Sequence, residues 1–262
     1  MTTVLTVADL HRNSVLLREL RDAVAKHKPD LVALVGDFLH GFDDEEGRET
    51  TAVCAEMLSQ LACPEIVCVR GNHEDSAWLQ FAQAWQKLGR PLHALHGEAF
   101  SYGPLTLIAF PCLMGDETAF VGDRAPLPLE LDKWLPEVML KAGRAARTLW
   151  LMHEPPVGNP LSQAGSLVEG NPDWNSAIER FRPWITISGH DHATPIKRKR
   201  WYHRLDATVC VNVGQSDRGP LHYCVVEAEF AGEASGLPTT MNVTAYPWNE
   251  TVTLPSGKPE KR

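Results

Sequence analysis

The sequence lacks several features that would mark a specialised class of protein. None of its six cysteines forms a C-x-x-C motif, and most lie in apolar runs such as "IVCVR", which indicates buried, reduced thiols. Basic residues do not predominate, because the net charge is −8, and this argues against a protein that coats nucleic acid through bulk electrostatics. What is left is an ordinary globular composition, with 44% hydrophobic and 22% charged residues.

The sequence also lacks an apolar stretch long enough to cross a bilayer. Its start, "MTTVLTVADLH", has neither a basic n-region nor a long apolar segment. We therefore expect a cytoplasmic protein with no membrane partner and no stable nucleic-acid partner, and the sequence does not indicate an oligomeric state. There is no internal repeat and no interdomain linker, and 262 residues suit one large α/β domain.

Apolar runs alternate with segments of helical spacing over the first ninety residues. The predicted strands and helices, in chain order, are 3–8, 14–27, 30–37, 45–61, 65–72 and 76–89. Asn13 or Ser14 is the expected N-cap of the first helix. Strand alternating with helix is typical of a parallel sheet that is covered on both faces.

The second half predicts more strands. Strand pairs are expected over 94–111, buried strands over 147–153 and 183–190, and consecutive strands with tight turns over 193–230. Helices are expected over 129–143 and after Asn171-Pro172, which would cap and start the helix. We predict two face-to-face sheets with helices outside, with residues 1–230 as the main domain and 231–262 as a strand and tail packed on it.

Five of the predicted strands are followed by a carboxylate, an amide or an imidazole. The residues are Asp9, His11, Asp37, Asn72, His73, His153, His190 and His192. One such residue would be an ordinary turn or cap residue. Five strand ends are different, because reactive groups gather beyond the carboxyl ends of strands in such sheets, and burying them unpaired would cost several kcal/mol. A metal centre would explain them.

Seven of these side chains are potential metal ligands, which is too many for one tetrahedral site with an open position. They suit two divalent ions that share a bridging carboxylate. Nitrogen and oxygen ligands without thiolate favour manganese or iron, with zinc, cobalt or nickel as alternatives.

The ordered set "ADLH", "GDFLH", "GNHE", "MHEPP" and "GHDH", which spans 9–192, resembles the motifs of the calcineurin-like metallophosphoesterase superfamily. The resemblance implies a four-layer α-β-β-α sandwich and a dinuclear centre that hydrolyses phosphate esters. The ligands that it implies are Asp9, His11 and His192 for the first metal, Asn72, His153 and His190 for the second, and Asp37 as the bridge. It implies that His73 is catalytic, as a transition-state stabiliser or as the general acid to the leaving oxygen.

The reaction expected of such a centre is in-line attack by a hydroxide held between two ions about 3.5–4 Å apart. The "DRG" of protein phosphatases in this superfamily is missing after "GD", and His40 stands where they carry aspartate. We therefore predict a phosphodiesterase, with nucleotide-like esters among its expected substrates. The alternatives are a small-molecule phosphomonoesterase and, less favoured, a nuclease or a non-catalytic scaffold.

Two further residues are candidates for substrate binding. Arg12 is a phosphate contact or an ordinary helix-start residue, and His40 touches substrate, supports the site or is structural. The basic stretch "KRKRWYHR" at 197–204 is interpreted as a solvated hairpin tip. The alternative is a grip on a polyanionic substrate, with Trp201 or Tyr202 stacking on a base.

Overall fold

The protein is represented by a computed structural model that describes residues 1–40, 48–110, 135–140, 148–157, 161–164, 167–168, 170–216, 219–230 and 238–254. The helices are α1 (Ser14–His27), α2 (Thr51–Ser59), α3 (Asp75–Leu88), α4 (135–140), α5 (Pro172–Phe181) and α6 (Ala193–Arg198). The strands are β1 (Thr2–Val7), β2 (Leu31–Val35), β3 (Glu65–Val69), β4 (His93–Ala94), β5 (Glu98–Tyr102), β6 (Leu105–Phe110), β7 (Leu149–Met152), β8 (Gln163–Ala164), β9 (Leu167–Val168), β10 (Ile185–Ser188), β11 (Tyr202–Leu205), β12 (Thr208–Asn212), β13 (Tyr223–Phe230), β14 (Pro238–Tyr246) and β15 (Glu250–Leu254).

Two mixed sheets form the centre of the fold. The seven-stranded sheet has the order β15-β14-β13-β1-β2-β3-β4, and the six-stranded sheet has the order β11-β12-β10-β7-β6-β5. Strands β1 to β4 are parallel to one another, as are β6, β7, β10 and β12. The carboxyl ends of these parallel strands therefore line one edge of each sheet. A short β8–β9 pair lies outside both sheets.

Three hydrophobic clusters show how the layers are stacked. One cluster lies between the sheets and includes Val4 and Ala33 from the first sheet and Leu151 from the second. The neighbouring residues on the same strands point outward, because side chains alternate along a strand. Leu5 accordingly packs with α1, α2 and α3, and Trp150 packs with α4 and α5. The order of layers is α-β-β-α, and the predicted fold class is confirmed.

The predicted helix starts at Asn13 and Asn171 are confirmed. The Asn13 side chain accepts hydrogen bonds from the backbone N–H groups of Val15 and Leu16, at 2.9 and 3.2 Å. Asn171 caps α5 by accepting from the N–H of Asp173, with Pro172 at the first helical position. These caps satisfy donors that the first helical turn leaves without a partner.

Two predictions about secondary structure were wrong, and one strand was missed. Residues 193–198 form α6 and not a strand, because the Asp191 carboxylate accepts from the N–H groups of Ala193 and Thr194 and so caps a helix. Helix α2 begins later than predicted because Thr50 is its N-cap, and the predicted positions 45–47 lie outside the described residues. Strand β15 was not predicted.

The parts of the predicted helix at 129–134 and 141–143, and the predicted tail at 231–237 and 255–262, lie outside the described residues. Within the described part, β14 and β15 extend the seven-stranded sheet, while the boundary predicted after 230 stays a prediction. The five cysteines in the described ranges are free thiols, and four of them are buried. No helix in these ranges combines the length and the hydropathy needed to span a membrane.

Candidate metal centre

The loops that follow β1, β2, β3, β7 and β10 meet where the two sheets face each other. The strand registers align their ends, since Val7 lies beside Leu34 in one sheet, and Leu151 lies beside Ile187 in the other. The polar residue that follows each strand is thereby brought to a common position, as expected at the carboxyl ends of parallel strands.

The first group of potential ligands consists of Asp9, His11 and His192, whose ligand atoms lie within 4.8 Å of one another. The Nε2 atoms of His11 and His192 are 3.3 Å apart, and Nε2 of His192 is 3.6 Å from Oδ1 of Asp9. The Asp9 carboxylate also accepts the backbone N–H of His190, at 3.0 and 3.1 Å to its two oxygens. Asp9 thus connects the loop after β1, in the seven-stranded sheet, to the loop after β10, in the six-stranded sheet.

The second group consists of Asp37, His153 and His190, again with ligand atoms within 4.8 Å of one another. Oδ1 of Asn72 lies 3.1 Å from Nε2 of His153 and 3.1 Å from Nδ1 of His190, so the amide oxygen belongs to this group. Oδ2 of Asp37 is 3.1 Å from Nε2 of His153, while its Oδ1 accepts the backbone N–H of His73 at 2.8 Å.

These donors fit divalent cations. For the facing Nε2 atoms of His11 and His192 to share a hydrogen bond, one of them must carry a lone pair, and a cation is an alternative partner for that lone pair. The other nitrogen of His11, Nδ1, is buried and has no hydrogen-bond partner among the described residues. Imidazole, carboxylate and amide oxygen without thiolate suit manganese, iron or zinc. All seven predicted ligands lie in these two groups.

The backbone at the site adopts the left-handed conformation at four of the potential ligands. Asp9, His11, Asp37 and His190 have positive φ angles of 54°, 45°, 50° and 64°. Left-handed backbone costs about 1–3 kcal/mol at a residue with a side chain, and it persists where surrounding contacts enforce it, typically at functional sites. The turn that aims each ligand is therefore held by its surroundings.

Glycine allows the closest approach between loops. An added Cβ at Gly71 would lie 2.2 Å from Oδ1 of Asp37 and 2.8 Å from its backbone nitrogen. An added Cβ at Gly36, where φ is 83°, would lie 2.2 Å from Nδ1 of His153. The loops after β2 and β3 could not pack against His153 with larger residues at these two positions.

Glu74 holds two of the ligand loops together, a role that the sequence analysis did not predict. Its buried carboxylate accepts the backbone N–H groups of Asp37, Leu39 and Gly71, at 2.8, 2.8 and 2.6 Å. Burial, and then the nearby charge of Asp37, raise the pKa of Glu74 to about 8, while the hydrogen bonds from the backbone oppose that rise. The available signal was its place in "GNHE", directly after the ligand loop.

Each carboxylate ligand is electrostatically paired with one imidazole. Burial alone would lower the pKa of His153, but Asp37 overrides it and raises the pKa to about 10. Burial likewise opposes the effect of Asp9 on His192, whose pKa is raised to about 9. Burial lowers the pKa of His11 to about 4. The imidazoles of His153 and His192 are thus protonated at neutral pH when no metal is bound, and metal binding would release these protons.

The candidate catalytic residue His73 lies beside the first group, with 41% of its side chain exposed. Its ring is perpendicular to that of His11, with ring centres 5.0 Å apart. His40 stacks on His73 at 5.1 Å with an angle of 16° between the rings. Both histidines line the same opening as the ligands, and their roles stay predictions.

Arg12 is completely buried, and its guanidinium donates to the carbonyl oxygen of Glu49 at 2.7 Å. This position favours the structural alternative over a contact with substrate phosphate.

The basic stretch does not form a hairpin tip, because it ends α6 and begins β11. Trp201 is only 1% exposed, and its Nε1 donates to the Glu250 carboxylate at 2.9 Å, so it is not available to stack on a base. Tyr202 is 41% exposed and stays available.

Comparison with known proteins identifies the family of this chain. A sequence model of calcineurin-like phosphoesterases matches residues 2–194, which includes every one of the seven ligands. The chain belongs to the calcineurin-like phosphoesterase family. No curated protein matches the chain.

Solved structures of other proteins share the fold of this family member. A dimetal phosphatase from Danio rerio is 14% identical, with coverage of 98% of this chain and 99% of that chain and a TM-score of 0.64. The protein TT1561 of Thermus thermophilus is 13% identical, with coverage of 96% and 97% and a TM-score of 0.59. GAP50, the anchor in the inner membrane complex of Plasmodium, is 11% identical, with coverage of 98% and 89% and a TM-score of 0.54. At these identities, the similarity shows the fold alone.

Proposed function

We propose that this calcineurin-like phosphoesterase is a dinuclear metal-dependent hydrolase that acts on phosphodiesters. One observation carries the proposal. Two groups of potential ligand atoms, each within a 4.8 Å span, lie next to the partly exposed imidazole of His73. Such an arrangement suits phosphoryl transfer, in which positioning and charge stabilisation supply most of the rate acceleration.

The ligands divide as the distances suggest. Asp9, His11 and His192 would hold one ion, and Asn72, His153 and His190 the other, with Asp37 between them. When bound, the ions supply Lewis acidity and a water nucleophile of lowered pKa. Because Asn72 contributes a neutral oxygen, the site keeps a net positive charge that attracts an anionic ester.

His73 is placed to act on the substrate. Its backbone N–H is anchored on Asp37 and its ring is free on one side, so the imidazole can donate a hydrogen bond to a phosphoryl or leaving-group oxygen. A positioned general acid of this kind contributes about 10²–10⁴-fold to the rate. His40, which stacks on His73, would steady that ring or contact the ester itself.

The preference for diesters rests on the G-D-x-x-H motif and on the absence of "DRG" after Asp37. A nucleotide-like substrate, manganese or iron as the native metal, and a cytoplasmic location are part of the same proposal.

Metal dependence is tested with protein stripped by a chelator. We expect the stripped protein to lose hydrolysis of bis(p-nitrophenyl) phosphate and to recover it with manganese, with two ions per chain in the recovered state. Faster hydrolysis of p-nitrophenyl phosphate than of the diester would favour the monoesterase alternative. No activity on either ester with manganese, iron, zinc, cobalt or nickel would support a non-catalytic scaffold.

The role of His73 is tested by His73→Ala, with His93→Ala as the matched control. His93 is half-buried like His73 but pairs with Glu65, away from the ligands. We expect His73→Ala to lower kcat by about 10²-fold or more with unchanged metal content. His93→Ala should leave kcat within a factor of about two, as expected of a surface pair. Loss of bound metal in His73→Ala would show that this residue is a ligand and not a catalytic group.

A further inference from the structure

A strongly basic surface lies beside the candidate metal centre. It consists of Lys197, Arg198, Lys199, Arg200 and Arg204, all exposed, together with Tyr202. We call these six residues the basic surface. Five of the chain's 25 lysine and arginine residues thus fall within eight positions of a protein whose net charge is −8.

The fold places most of the basic surface near the edge of the sheet that carries the proposed ligands, while Arg204 lies two residues further along β11, opposite Val209. His192, a proposed ligand, is the N-cap of α6, and the six residues of this helix extend about 9 Å. The chain then returns to the same edge, because the N–H of Asn212 at the end of β12 donates to the carbonyl oxygen of Trp201 at 2.9 Å. Tyr202 pairs with Val211, also near that end of β12. The segment between His192 and Tyr202 therefore starts and ends at the carboxyl edge.

Among the described residues, no acidic side chain forms a salt bridge with the basic surface. No acidic residue occurs between Asp191 and Asp206 in the sequence. Asp206 lies at the far end of β11 and pairs with Arg182 at 3.4 Å. Glu250 is the acidic group bonded to this region, and it accepts from Trp201 rather than from a basic side chain. Arg204 donates to a backbone oxygen, that of Thr253, at 3.4 Å.

The one aromatic ring of the basic surface is positioned for stacking. Tyr202 and Arg204 are two residues apart on the edge strand β11, so their side chains share a face, and both are exposed. A ring beside a row of cations is the combination with which proteins bind single-stranded nucleic acid, whose bases stack while the phosphates pair with basic groups. A surface that docks on lipid would instead present several large apolar side chains, and Tyr202 is the only one exposed among residues 193–205.

We propose that the basic surface binds the phosphate backbone of a single-stranded oligonucleotide and so guides one of its phosphodiesters to the metal centre. This inference rests on the proposed function, since it names the substrate class of the same site. The contact is that of a substrate, made by about three or four phosphates, and does not require the protein as a whole to be basic.

Binding is measured by fluorescence anisotropy of a labelled oligothymidylate of about 12 nucleotides, a length within the range of single-strand sites. The chelator-treated protein is used, so that binding is read without hydrolysis. We expect binding at low salt, with log K falling with log salt at a slope of about −2 to −3, because each phosphate contact contributes about −0.7.

The variant Arg198→Glu/Arg200→Glu/Arg204→Glu should weaken binding at least about tenfold, as the loss of its phosphate contacts implies. The matched control Arg18→Glu/Arg21→Glu/Lys87→Glu makes the same change in net charge at exposed sites on α1 and α3 and should weaken binding less than about twofold. Both variants should keep the thermal stability of the wild-type protein, and the control variant should also keep its bis(p-nitrophenyl) phosphate turnover. Equal weakening by the two triple variants would overturn the proposal, because it would show a dependence on net charge alone.

Stacking is tested separately with Tyr202→Ala and Tyr202→Phe. We expect Tyr202→Ala to weaken binding about fivefold or more and Tyr202→Phe to keep it, since a base stacks on either ring. Two further results would overturn the proposal: no binding of the oligonucleotide at low salt, or tighter binding to vesicles of phosphatidylserine that the first triple variant abolishes. If binding fails while the chromogenic diester is hydrolysed, the proposed function stands and only this inference falls.

Discussion

The two sheet edges that face each other across the metal centre are stabilised in different ways. At the seven-stranded sheet, the loops after β2 and β3 are tied by one buried carboxylate, Glu74, which accepts three backbone N–H groups. At the six-stranded sheet, the loop after β10 is tied by a neutral amide. Asn212 donates to the carbonyl oxygens of Leu161 and Asp191, at 3.0 and 3.2 Å, and accepts from the N–H of Gly214 at 2.7 Å.

The difference follows from what each edge has to satisfy. The loops after β2 and β3 turn several N–H groups inward, and a carboxylate is the side chain that accepts without donating. At the second edge, the groups to be satisfied are the carbonyl oxygens of Leu161 and Asp191 and the N–H of Gly214, for which an amide is suited because it both donates and accepts. Removing Glu74, which satisfies three donors, leaves more groups without partners than removing Asn212, so the first edge should be the more vulnerable one.

The largest expected effect is that of Gly71→Ala. The new Cβ would lie 2.2 Å from Oδ1 of Asp37 and would displace the proposed bridging ligand. We expect a loss of tightly bound metal and at least about a 10²-fold loss of kcat/KM, because small misplacements of reacting groups have effects of that size. Metal analysis and steady-state kinetics check both.

Gly89→Ala is the matched control for this substitution. Gly89 also has positive φ, 68°, but an added Cβ would meet no atom within 4 Å. This variant should lose about 1–2 kcal/mol of stability from backbone strain and retain its metal and activity. If Gly71→Ala kept full metal content and activity, the close packing of the two loops would not be needed by the site.

The next prediction compares the contributions of Glu74 and Asn212 to stability directly. In chelator-treated protein, Glu74→Ala should lower the free energy of unfolding by about 4 kcal/mol, since it leaves three buried donors without an acceptor. Asn212→Ala should lower it by about 2 kcal/mol, which is usual for one lost buried amide network. Urea unfolding of both variants, with Glu74→Gln as the isosteric control, measures the difference.

Glu74→Gln keeps one acceptor oxygen but turns an NH₂ group toward backbone donors, so its loss should lie between those of the wild-type protein and Glu74→Ala. A loss for Asn212→Ala equal to or larger than that for Glu74→Ala would remove the contrast between the two edges.

A smaller effect than that of Glu74→Ala, and one that depends on pH, concerns His222, which joins the two edges. It precedes β13 in the seven-stranded sheet, and its Nδ1 lies 3.1 Å from the carbonyl oxygen of Gly214, which follows β12 in the other. Burial lowers the pKa of His222 from 6.5 to about 4, and the Gly214 carbonyl and the charge of Asp9 oppose this shift only in part. The unfolded chain therefore binds a proton between pH 6.5 and 4 that the folded chain does not bind.

The stability linked to His222 is consequently complete above about pH 6.5 and is lost as the pH falls toward 4, by about 3 kcal/mol in all. In His222→Gln the free energy of unfolding should decline less steeply over this window, whatever the change in stability at pH 8. Urea unfolding of chelator-treated protein at several pH values measures the two slopes. Parallel curves for variant and wild-type protein would mean that His222 is protonated in the folded state as readily as in the unfolded chain.

Much of the candidate metal centre could be predicted because its potential ligands follow a local rule. Each of Asp37, His153 and His190 comes within two residues of the end of an apolar strand, and strand ends can be recognised from the sequence. The caps Asn13 and Asn171 could be predicted for the same reason, since each bonds to N–H groups within three residues of itself.

One of the errors concerns a local helix cap, and another concerns a contact between distant residues. Residues 193–198 contain β-branched residues and proline, and only the hydrogen bonds from Ala193 and Thr194 to Asp191 favour a helix there. Trp201 is buried because Glu250, 49 residues away, lies across its indole N–H.

The amino-acid sequence by itself determined the seven candidate ligands, the alternation of strands and helices, and the family, because all three are written in local patterns of apolar and polar residues. Only the tertiary structure decided that Glu74 ties two loops, that Arg12 is buried and that the basic surface adjoins the ligands. Those features arise where segments far apart in the chain come into contact. Which residues face each other there is decided by the packing of sheets and helices, and no local pattern specifies that packing.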